Sequence, residues 1–302
     1  MMQEFLKELE KANIGKIQKD VFLSKYTTYK VGGIVDVIVY PKNTNCLIKL
    51  CRLIRKYHIK WQVLGNGSNL LFSDKRYNGV LIKLDEFNKM EFMKDKLVCG
   101  AGCSLMKVAR EAIKRGLAGL EFATGIPGSI GGAVYMNAGA YKSDMGYIVQ
   151  AVTVLTDDLK IITLSNREMD FHYRSSFLQK HKDYICLEVR IKLTYGDRKE
   201  LEKVVKERRL RRLESQPLEY PSAGSVFRNP EGLFAGKLIE DIGLKGLTKG
   251  GAEVSEKHAN FIINKHEASA KDIHDLILFV KDAVKEHYGI TLKIEQEFVN
   301  WE

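Results

Sequence analysis

The most informative part of this chain is the glycine-rich stretch Thr124-Gly125-Ile126-Pro127-Gly128-Ser129-Ile130-Gly131-Gly132. The stretch continues to Asn137-Ala138-Gly139. Its five glycines, with a proline that stiffens the backbone, are too many for one turn and too ordered for a linker. Glycine lets backbone N–H groups close on a diphosphate because no Cβ stands in the way. The stretch therefore predicts a phosphate-binding cradle.

A shorter glycine loop, Gly65-Asn66-Gly67-Ser68-Asn69, precedes this stretch. On its own such a loop is more typical of a tight turn, but two glycine loops in one region indicate a dinucleotide ligand. Neither is the Gly-x-Gly-x-x-Gly fingerprint that opens a helix after a strand, and Gly-x-x-x-x-Gly-Lys-Ser/Thr is absent. The pattern therefore disfavours the Rossmann and P-loop folds.

The composition predicts a globular protein of two or three domains. A chain of 302 residues with 45% hydrophobic residues can bury a full core. No apolar stretch is long enough to span a bilayer, and the first residues lack the layout of a secretory signal, so we expect a cytoplasmic protein. The five cysteines include no Cys-x-x-Cys, which predicts buried thiols rather than a disulfide framework or a metal site.

The net charge of +10 is compatible with binding to nucleic acid or to an acidic membrane. Much of the excess lies in residues 203–212. Because no aromatic residue is interleaved to stack on a base, a solvated helix face is the more common explanation. A positive lip for a phosphorylated small molecule is the alternative, and the sequence leaves both open. The basic residues concerned are Lys206, Arg208, Arg209, Arg211 and Arg212.

Short strands alternate with helices along the chain, which predicts an α+β fold. The clearest helix begins with a capping box of Ser269 and Asp272 and ends at Gly289. Residues 291–299 predict a last strand, on which Glu295 and Glu297 share one face. Other predicted strands cover 35–40, 59–64, 80–84, 96–99, 151–156, 160–164 and 183–194, and further helices follow Asn43, Ser104 and Asp197.

Five blocks of the sequence, taken in order, resemble those of the UDP-N-acetylenolpyruvoylglucosamine reductase family. The resemblance extends from about Val21 to Trp301, and the short interval between Arg174 and Ser225 is similar to the class without a substrate-capping loop. The ordered set is far more specific than any single block. The blocks are Tyr26–Gly33, Leu64–Leu71, Gly125–Gly132, Tyr173–Phe177 and Pro221–Pro230.

The resemblance implies a flavoenzyme that uses NADPH to reduce the enolpyruvyl group of a UDP-sugar, giving UDP-N-acetylmuramate for peptidoglycan. It implies an FAD-binding unit of the vanillyl-alcohol-oxidase (PCMH) type with two subdomains, 1–84 and 85–196, followed by an α/β substrate domain, 197–302. None of the seven histidines lies in a glycine loop, so we expect non-covalent FAD. We expect the UDP-sugar and NADPH as partners, and neither nucleic acid nor a membrane.

The resemblance also implies three catalytic residues. Ser225 matches the proton donor, and Arg174 and Glu297 match the pair that stabilises developing charge. A guanidinium suits an enolate because it stays protonated and donates in a fork, and a nearby hydroxyl can protonate the α-carbon. Taken singly, each would more often be a turn or surface residue.

The binding residues complete the expected site. FAD is expected to contact mainly backbone groups of the two glycine loops. For the substrate we expect Tyr173 and Asn229, together with Arg211 or Arg212 in place of the capping loop. His258 has no mechanistic role and is taken as structural. The cofactor residues are Gly65, Asn66, Gly67, Ser68, Asn69, Thr124, Gly125, Ile126, Pro127, Gly128, Ser129, Gly131, Gly132, Asn137, Gly139 and Arg228.

Two other classes of protein remain open from the sequence. A different oxidoreductase on the same flavin fold would share the glycine loops but not the set of Arg174, Ser225 and Glu297. A nucleic-acid-binding protein would account for the positive charge. A flavin absorption spectrum separates both enzyme classes from the binding protein.

Overall fold

The computed structural model describes residues 1–302, and the chain divides into two compact units. Neither unit is continuous in sequence. The units are defined by compactness, which does not test where domains begin and end in the sequence. The division into the domains 1–84, 85–196 and 197–302 therefore remains a prediction. The first unit comprises Met1–Lys19, Val37–Gly65 and Asn78–Arg208, and the second comprises Asp20–Asp36, Asn66–Tyr77 and Arg209–Glu302.

The chain contains both helices and strands throughout. The helices are α1 (Met2–Lys11), α2 (Thr44–Lys56), α3 (Leu105–Lys114), α4 (Ile130–Tyr135), α5 (Phe177–Lys180), α6 (Arg198–Ser215), α7 (Ala235–Asp241) and α8 (Ala270–Tyr288). The strands are β1 (Gly15–Phe22), β2 (Ile34–Pro41), β3 (Trp61–Val63), β4 (Leu70–Phe72), β5 (Tyr77–Ile82), β6 (Met90–Met93), β7 (Lys96–Gly100), β8 (Leu117–Ala118), β9 (Gly139–Ala140), β10 (Ser143–Asp144), β11 (Val149–Leu155), β12 (Ile161–Ser165), β13 (Ile185–Lys192), β14 (Thr194–Tyr195), β15 (Thr248–Lys249), β16 (Ala252–Val254), β17 (Ile262–Asn264) and β18 (Glu297–Val299).

An antiparallel five-stranded sheet in the order β12-β11-β13-β7-β6 forms the centre of the first unit. A four-stranded sheet has the order β1-β2-β5-β3. The helix α2 buries the predicted stripe of Leu47, Leu50, Cys51 and Ile54, and the side chain of Asn43 caps its first turn. Ser104 caps α3 in the same way, as predicted. The helices and strands thus confirm the prediction of an α+β fold.

The helix α8 organises the core of the second unit. Ser269 and Asp272 form the predicted capping box, and Gly289 ends the helix in the left-handed region at φ 68°. The apolar stripe of α8 is buried, and the helix packs against the small sheet β15-β16-β17. The residues of this stripe are Ile273, Leu276, Ile277, Val280 and Val284.

The predicted last strand is wrong in its extent. Residues 291–299 were expected to be one strand, but only Glu297–Val299 forms β18, in parallel pairing with β4. The backbone partner changes along this segment: Lys293 O accepts from Arg228 N at 2.8 Å, whereas Glu297 N donates to Asn69 O at 2.9 Å. Because the ladder passes from one neighbour to another, it is not continuous. The helix α1 was not predicted from the sequence.

The cysteines are free, and four of the five are buried, as expected. Burial raises the pKa of the Cys51 thiol to about 11 and that of Cys186 to about 12, so both stay protonated at neutral pH. None of the helices combines the length and the apolar composition needed to cross a membrane.

The contribution of the α8 capping box to the stability of the protein can be tested by mutation. Replacing Ser269 by alanine removes the acceptor of the Asp272 N–H, which lies 3.1 Å from Ser269 Oγ, and should lower the free energy of unfolding by about 1 kcal/mol. Urea denaturation followed by circular dichroism measures this change. The control is Ser215→Ala on exposed α6, whose hydroxyl donates to Arg211 O in the same helix; it should change stability by less than about 0.5 kcal/mol. Equal effects of the two substitutions would contradict the role of the cap.

Candidate active site

The two glycine stretches meet at Gly65 and Ser129 in the first unit. A Cβ on Gly65 would lie only 2.8 Å from Ser129 Oγ, which is too close for any other residue without a shift. The carbonyl of Gly65 accepts a hydrogen bond of 2.9 Å from Nζ of Lys83, whose side chain is only 10% exposed. Gly65 is therefore fixed on both sides, and glycine is required for space.

Ser129 begins the short helix α4, and its Oγ accepts from Gly132 N at 3.3 Å. Two other N–H groups of this stretch are also used inside the protein: Gly131 N donates to Ala101 O at 2.8 Å, and Gly128 N donates to Ile126 O at 2.9 Å. A Cβ on Gly131 would lie 3.0 Å from Ala101 Cβ. Gly131 thus serves close packing, and the backbone N–H groups of Gly128, Gly131 and Gly132 are not available to a ligand.

The rest of the short glycine loop lies in the second unit. Gly67 adopts φ 62°, and a Cβ there would lie 2.1 Å from Tyr26 O, so the position demands glycine for both conformation and space. Its carbonyl accepts from Thr28 N at 3.2 Å. The N–H groups of Asn66, Gly67 and Ser68 make no hydrogen bond within the protein.

These features fit an FAD diphosphate. Consecutive N–H groups without a protein acceptor, in a loop that contains glycine, are what a phosphate group binds. The N–H groups of Asn66, Gly67 and Ser68 would hold the phosphate oxygens, and Ser129 stands directly beside Gly65. Thr124 Oγ1 instead donates to Glu121 O at 3.0 Å, which fixes its own 3-10 turn.

Arg174 lies in a tight turn with a left-handed backbone, φ 53°, which is uncommon for a residue other than glycine. The backbones of His172 and Ser175 exchange two hydrogen bonds of 3.0 Å around it. One Arg174 Nη donates to Gly139 O at 2.6 Å, and Gln179 Nε2 donates to Arg174 O at 3.1 Å. Such strain persists only where surrounding contacts impose it, and it is typical of functional sites.

The structure changes the interpretation of Asn137. This buried side chain donates to His172 O at 2.8 Å and accepts from Gly146 N at 2.9 Å. The amide NH2 therefore holds the turn that carries Arg174, and the amide oxygen holds the 3-10 turn at Met145–Tyr147. Tyr173, by contrast, is half exposed, with the Arg174 guanidinium 5.1 Å from its ring centroid.

Ser225 and Glu297 both lie in the second unit, on adjacent segments. Glu295 N donates to Val226 O at 2.8 Å, so the chain before Glu297 runs alongside the chain after Ser225. Gly224, at φ 74°, sets the turn before Ser225. The Ser225 hydroxyl makes no hydrogen bond within the protein, which suits a group that meets a substrate.

The other predicted binding residues of the second unit differ in their exposure and in their hydrogen bonds within the protein. Asn229 is exposed, and its Oδ1 accepts from Ala235 N at 3.0 Å, which leaves its NH2 group for a substrate. Arg228 has a buried Nε. Arg211 is exposed on α6, whereas Arg212 is half-buried and donates to Gln216 Oε1 at 2.9 Å.

Some residues with a part in this site were missed from the sequence. Lys83 stands in an otherwise apolar strand pattern. A cation at a position that the pattern predicts to be buried was the only indication of its role in the sequence. Asn260 exchanges hydrogen bonds of 2.9 and 2.8 Å with the backbone of Phe227 and so takes the place of a strand partner beside the Ser225 turn. His258 accepts from Asn260 N at 3.2 Å, and burial lowers its pKa, in keeping with a structural role. No group of three or more His, Cys, Asp or Glu side chains could hold a metal ion.

Comparison with known proteins adds independent information. Residues 35–165 match the family described as FAD binding domain, and residues 216–299 match the C-terminal domain of UDP-N-acetylenolpyruvoylglucosamine reductase. UDP-N-acetylenolpyruvoylglucosamine reductase 1 of Bacillus cereus is 44% identical over 299 residues, which is 99% of each chain.

Solved structures agree with these matches. The crystal structure of UDP-N-acetylenolpyruvylglucosamine reductase from Thermus caldophilus has a TM-score of 0.80 at 35% identity and covers 94% of this chain and 98% of its own. Phl p 4.0202, a glucose dehydrogenase, has a TM-score of 0.51 at 12% identity over 65% of this chain and 44% of its own, a likeness of fold alone. The predicted fold, an FAD-binding unit of the vanillyl-alcohol-oxidase type with a C-terminal domain, is confirmed. The chain belongs to the UDP-N-acetylenolpyruvoylglucosamine reductase family and is an FAD-dependent oxidoreductase.

Proposed function

We propose that Ser225, Arg174 and Glu297 carry out the reaction of this family on the enolpyruvyl ether of UDP-N-acetylglucosamine, reducing it with NADPH to UDP-N-acetylmuramate. The main support for this reaction is the full-length similarity to a UDP-N-acetylenolpyruvoylglucosamine reductase, which is 44% identical over 99% of both chains. The residue roles are supported by the matching sequence blocks, by the unbonded hydroxyl of Ser225 and by the constrained turn of Arg174.

When bound, FAD supplies hydride transfer between NADPH and the carbon β to the substrate carboxylate. The double bond is consumed, and its electron pair moves to the α-carbon and the carboxylate. The Arg174 guanidinium donates to the substrate carboxylate, where negative charge develops, and Glu297 completes the charged pair. The Ser225 hydroxyl gives its proton to the α-carbon, which forms the second new C–H bond, and the serine oxygen regains a proton from solvent before the next turnover.

The remaining parts of the proposal concern binding. FAD is held without a covalent link, chiefly by backbone groups of Gly65–Asn69 and by Ser129, with Gly125, Ile126, Pro127, Gly139 and Arg228 as further candidates. The UDP-sugar contacts Tyr173 and Asn229, and at least one of Arg211 and Arg212 pairs with its diphosphate. We place the enzyme in the cytoplasm with small molecules as its partners.

The role of Ser225 is tested by Ser225→Ala. Loss of a positioned proton donor should slow reduction of the enolpyruvyl substrate about 100-fold or more, while flavin reduction by NADPH stays near normal. Anaerobic stopped-flow absorbance at the flavin band measures the two half-reactions separately. Ser222→Ala, the same change three residues earlier in the chain, is the control and should alter neither. A loss confined to the NADPH half-reaction would assign Ser225 a different role.

The basic segment is tested by an Arg211→Ala, Arg212→Ala double variant. Contacts to a diphosphate bind ground state and transition state about equally, so their loss should raise KM for the UDP-sugar far more than it lowers kcat. The effect should shrink at high ionic strength because salt screens exposed charges. A Lys199→Ala, Lys203→Ala variant removes the same charge from exposed positions at the other end of α6. Equal kinetics in the two double variants would show that α6 only keeps the protein soluble.

A further inference from the structure

The side chain of Gln296 is buried directly beside the two proposed catalytic residues of the second unit. It is only 4% exposed and immediately precedes Glu297, the first residue of β18. Its Nε2 lies 3.3, 3.4 and 3.5 Å from the carbonyl oxygens of Ala223, Gly224 and Ser225. A single amide group therefore covers the whole turn that carries the Ser225 hydroxyl.

The orientation of this amide is fixed by Tyr29. The Tyr29 hydroxyl donates to Gln296 Oε1 at 3.0 Å, and its ring is fully buried. A flipped amide would place Oε1 against three carbonyl oxygens, all acceptors, with nothing to donate to it. Burial raises the pKa of Tyr29 far above its usual range, so its hydroxyl remains a donor at any working pH. Tyr29 is held in turn by Asn264, whose Nδ2 donates to Tyr29 O at 3.0 Å.

The backbone alone does not hold the Ser225 turn at this point. The backbone pairing between the two segments ends with Glu295 N on Val226 O, and Glu297 N turns away to donate to Asn69 O. The amide of Gln296 continues the connection where the ladder stops. Each of its three contacts is longer than an ordinary N–H···O bond, and two N–H groups serve three acceptors, so the turn is held by a shared contact.

We propose that Gln296, oriented by Tyr29, is a positioning residue that fixes the Ser225 hydroxyl relative to Glu297 for protonation of the substrate. This inference rests on the proposed role of Ser225 as the proton donor. Gln296 touches no reacting atom and acts through the turn it holds. A small displacement of a reacting group is enough to slow a reaction strongly, because transfer requires a near-attack geometry.

Gln296→Glu tests this arrangement with almost no change in volume. A carboxylate keeps an acceptor for Tyr29 but loses the N–H donors, so it repels the carbonyls of the turn. We expect the half-reaction with the enolpyruvyl substrate to slow about 10- to 100-fold, with flavin reduction by NADPH unchanged within about twofold. Tyr29→Phe, which removes only the group that orients the amide, should slow the same half-reaction to a smaller degree. Flavin content and the flavin spectrum report whether each variant is folded and loaded.

A double variant, Ser225→Ala with Gln296→Glu, separates positioning from a general structural role. Because Gln296 acts through Ser225, the double variant should be no slower than Ser225→Ala alone. Multiplying effects, or equal slowing of both half-reactions in Gln296→Glu, would overturn the proposal. Normal substrate reduction in Gln296→Glu beside a slow Ser225→Ala would overturn it while leaving the role of Ser225 intact. A normal Ser225→Ala would overturn both the proposed function and this inference.

Discussion

The close approach of Gly65 to Ser129 is the constraint on which the rest of the site depends. Only 2.8 Å would separate a Cβ on Gly65 from the serine hydroxyl, so the first glycine loop can reach the start of α4 only as glycine. The buried ammonium of Lys83 holds the carbonyl of the same residue. The N–H groups that follow, from Asn66 to Ser68, have no acceptor within the protein. A cofactor held by backbone groups needs such a cradle, because a Cβ in its path would keep the cofactor away from the backbone N–H groups.

In both units, buried amide side chains take the place of strand partners. Asn260 pairs with Phe227 on both its backbone groups, Asn137 holds the turn of Arg174, and Gln296 covers the turn of Ser225. Asn260 and Asn137 each bond backbone groups with both donor and acceptor, whereas Gln296 donates to backbone carbonyls and accepts from the Tyr29 hydroxyl. The short turns that carry the proposed catalytic residues Arg174 and Ser225 are thereby fixed without regular secondary structure.

The sequence predicted the features that depend on local pattern. The capping box at Ser269 and the stripe of α2 follow from residues near one another in the chain. The glycine loops were also visible in the sequence, but the contacts that demand glycine at Gly65 and Gly67 come from the distant residues Ser129 and Tyr26. The amide contacts could not be predicted because their partners are distant in sequence: Tyr29 and Gln296 are 267 residues apart. The last strand was predicted too long because periodicity gives no sign that the hydrogen-bonding neighbour changes at Glu295. Gly131 stays a predicted cofactor residue, and nothing in the sequence indicated that its N–H donates to Ala101 O.

The most direct test of the cradle is the affinity of the apoprotein for FAD, titrated by quenching of flavin fluorescence, in Gly65→Ala. A Cβ at this position forces Gly65 and Ser129 apart and displaces the N–H groups that follow. The account predicts that FAD binds about tenfold more weakly or worse, the equivalent of one charge-assisted hydrogen bond of about 1.5 kcal/mol, while Ser222→Ala binds FAD normally. Unchanged FAD affinity in a folded Gly65→Ala protein would contradict the account.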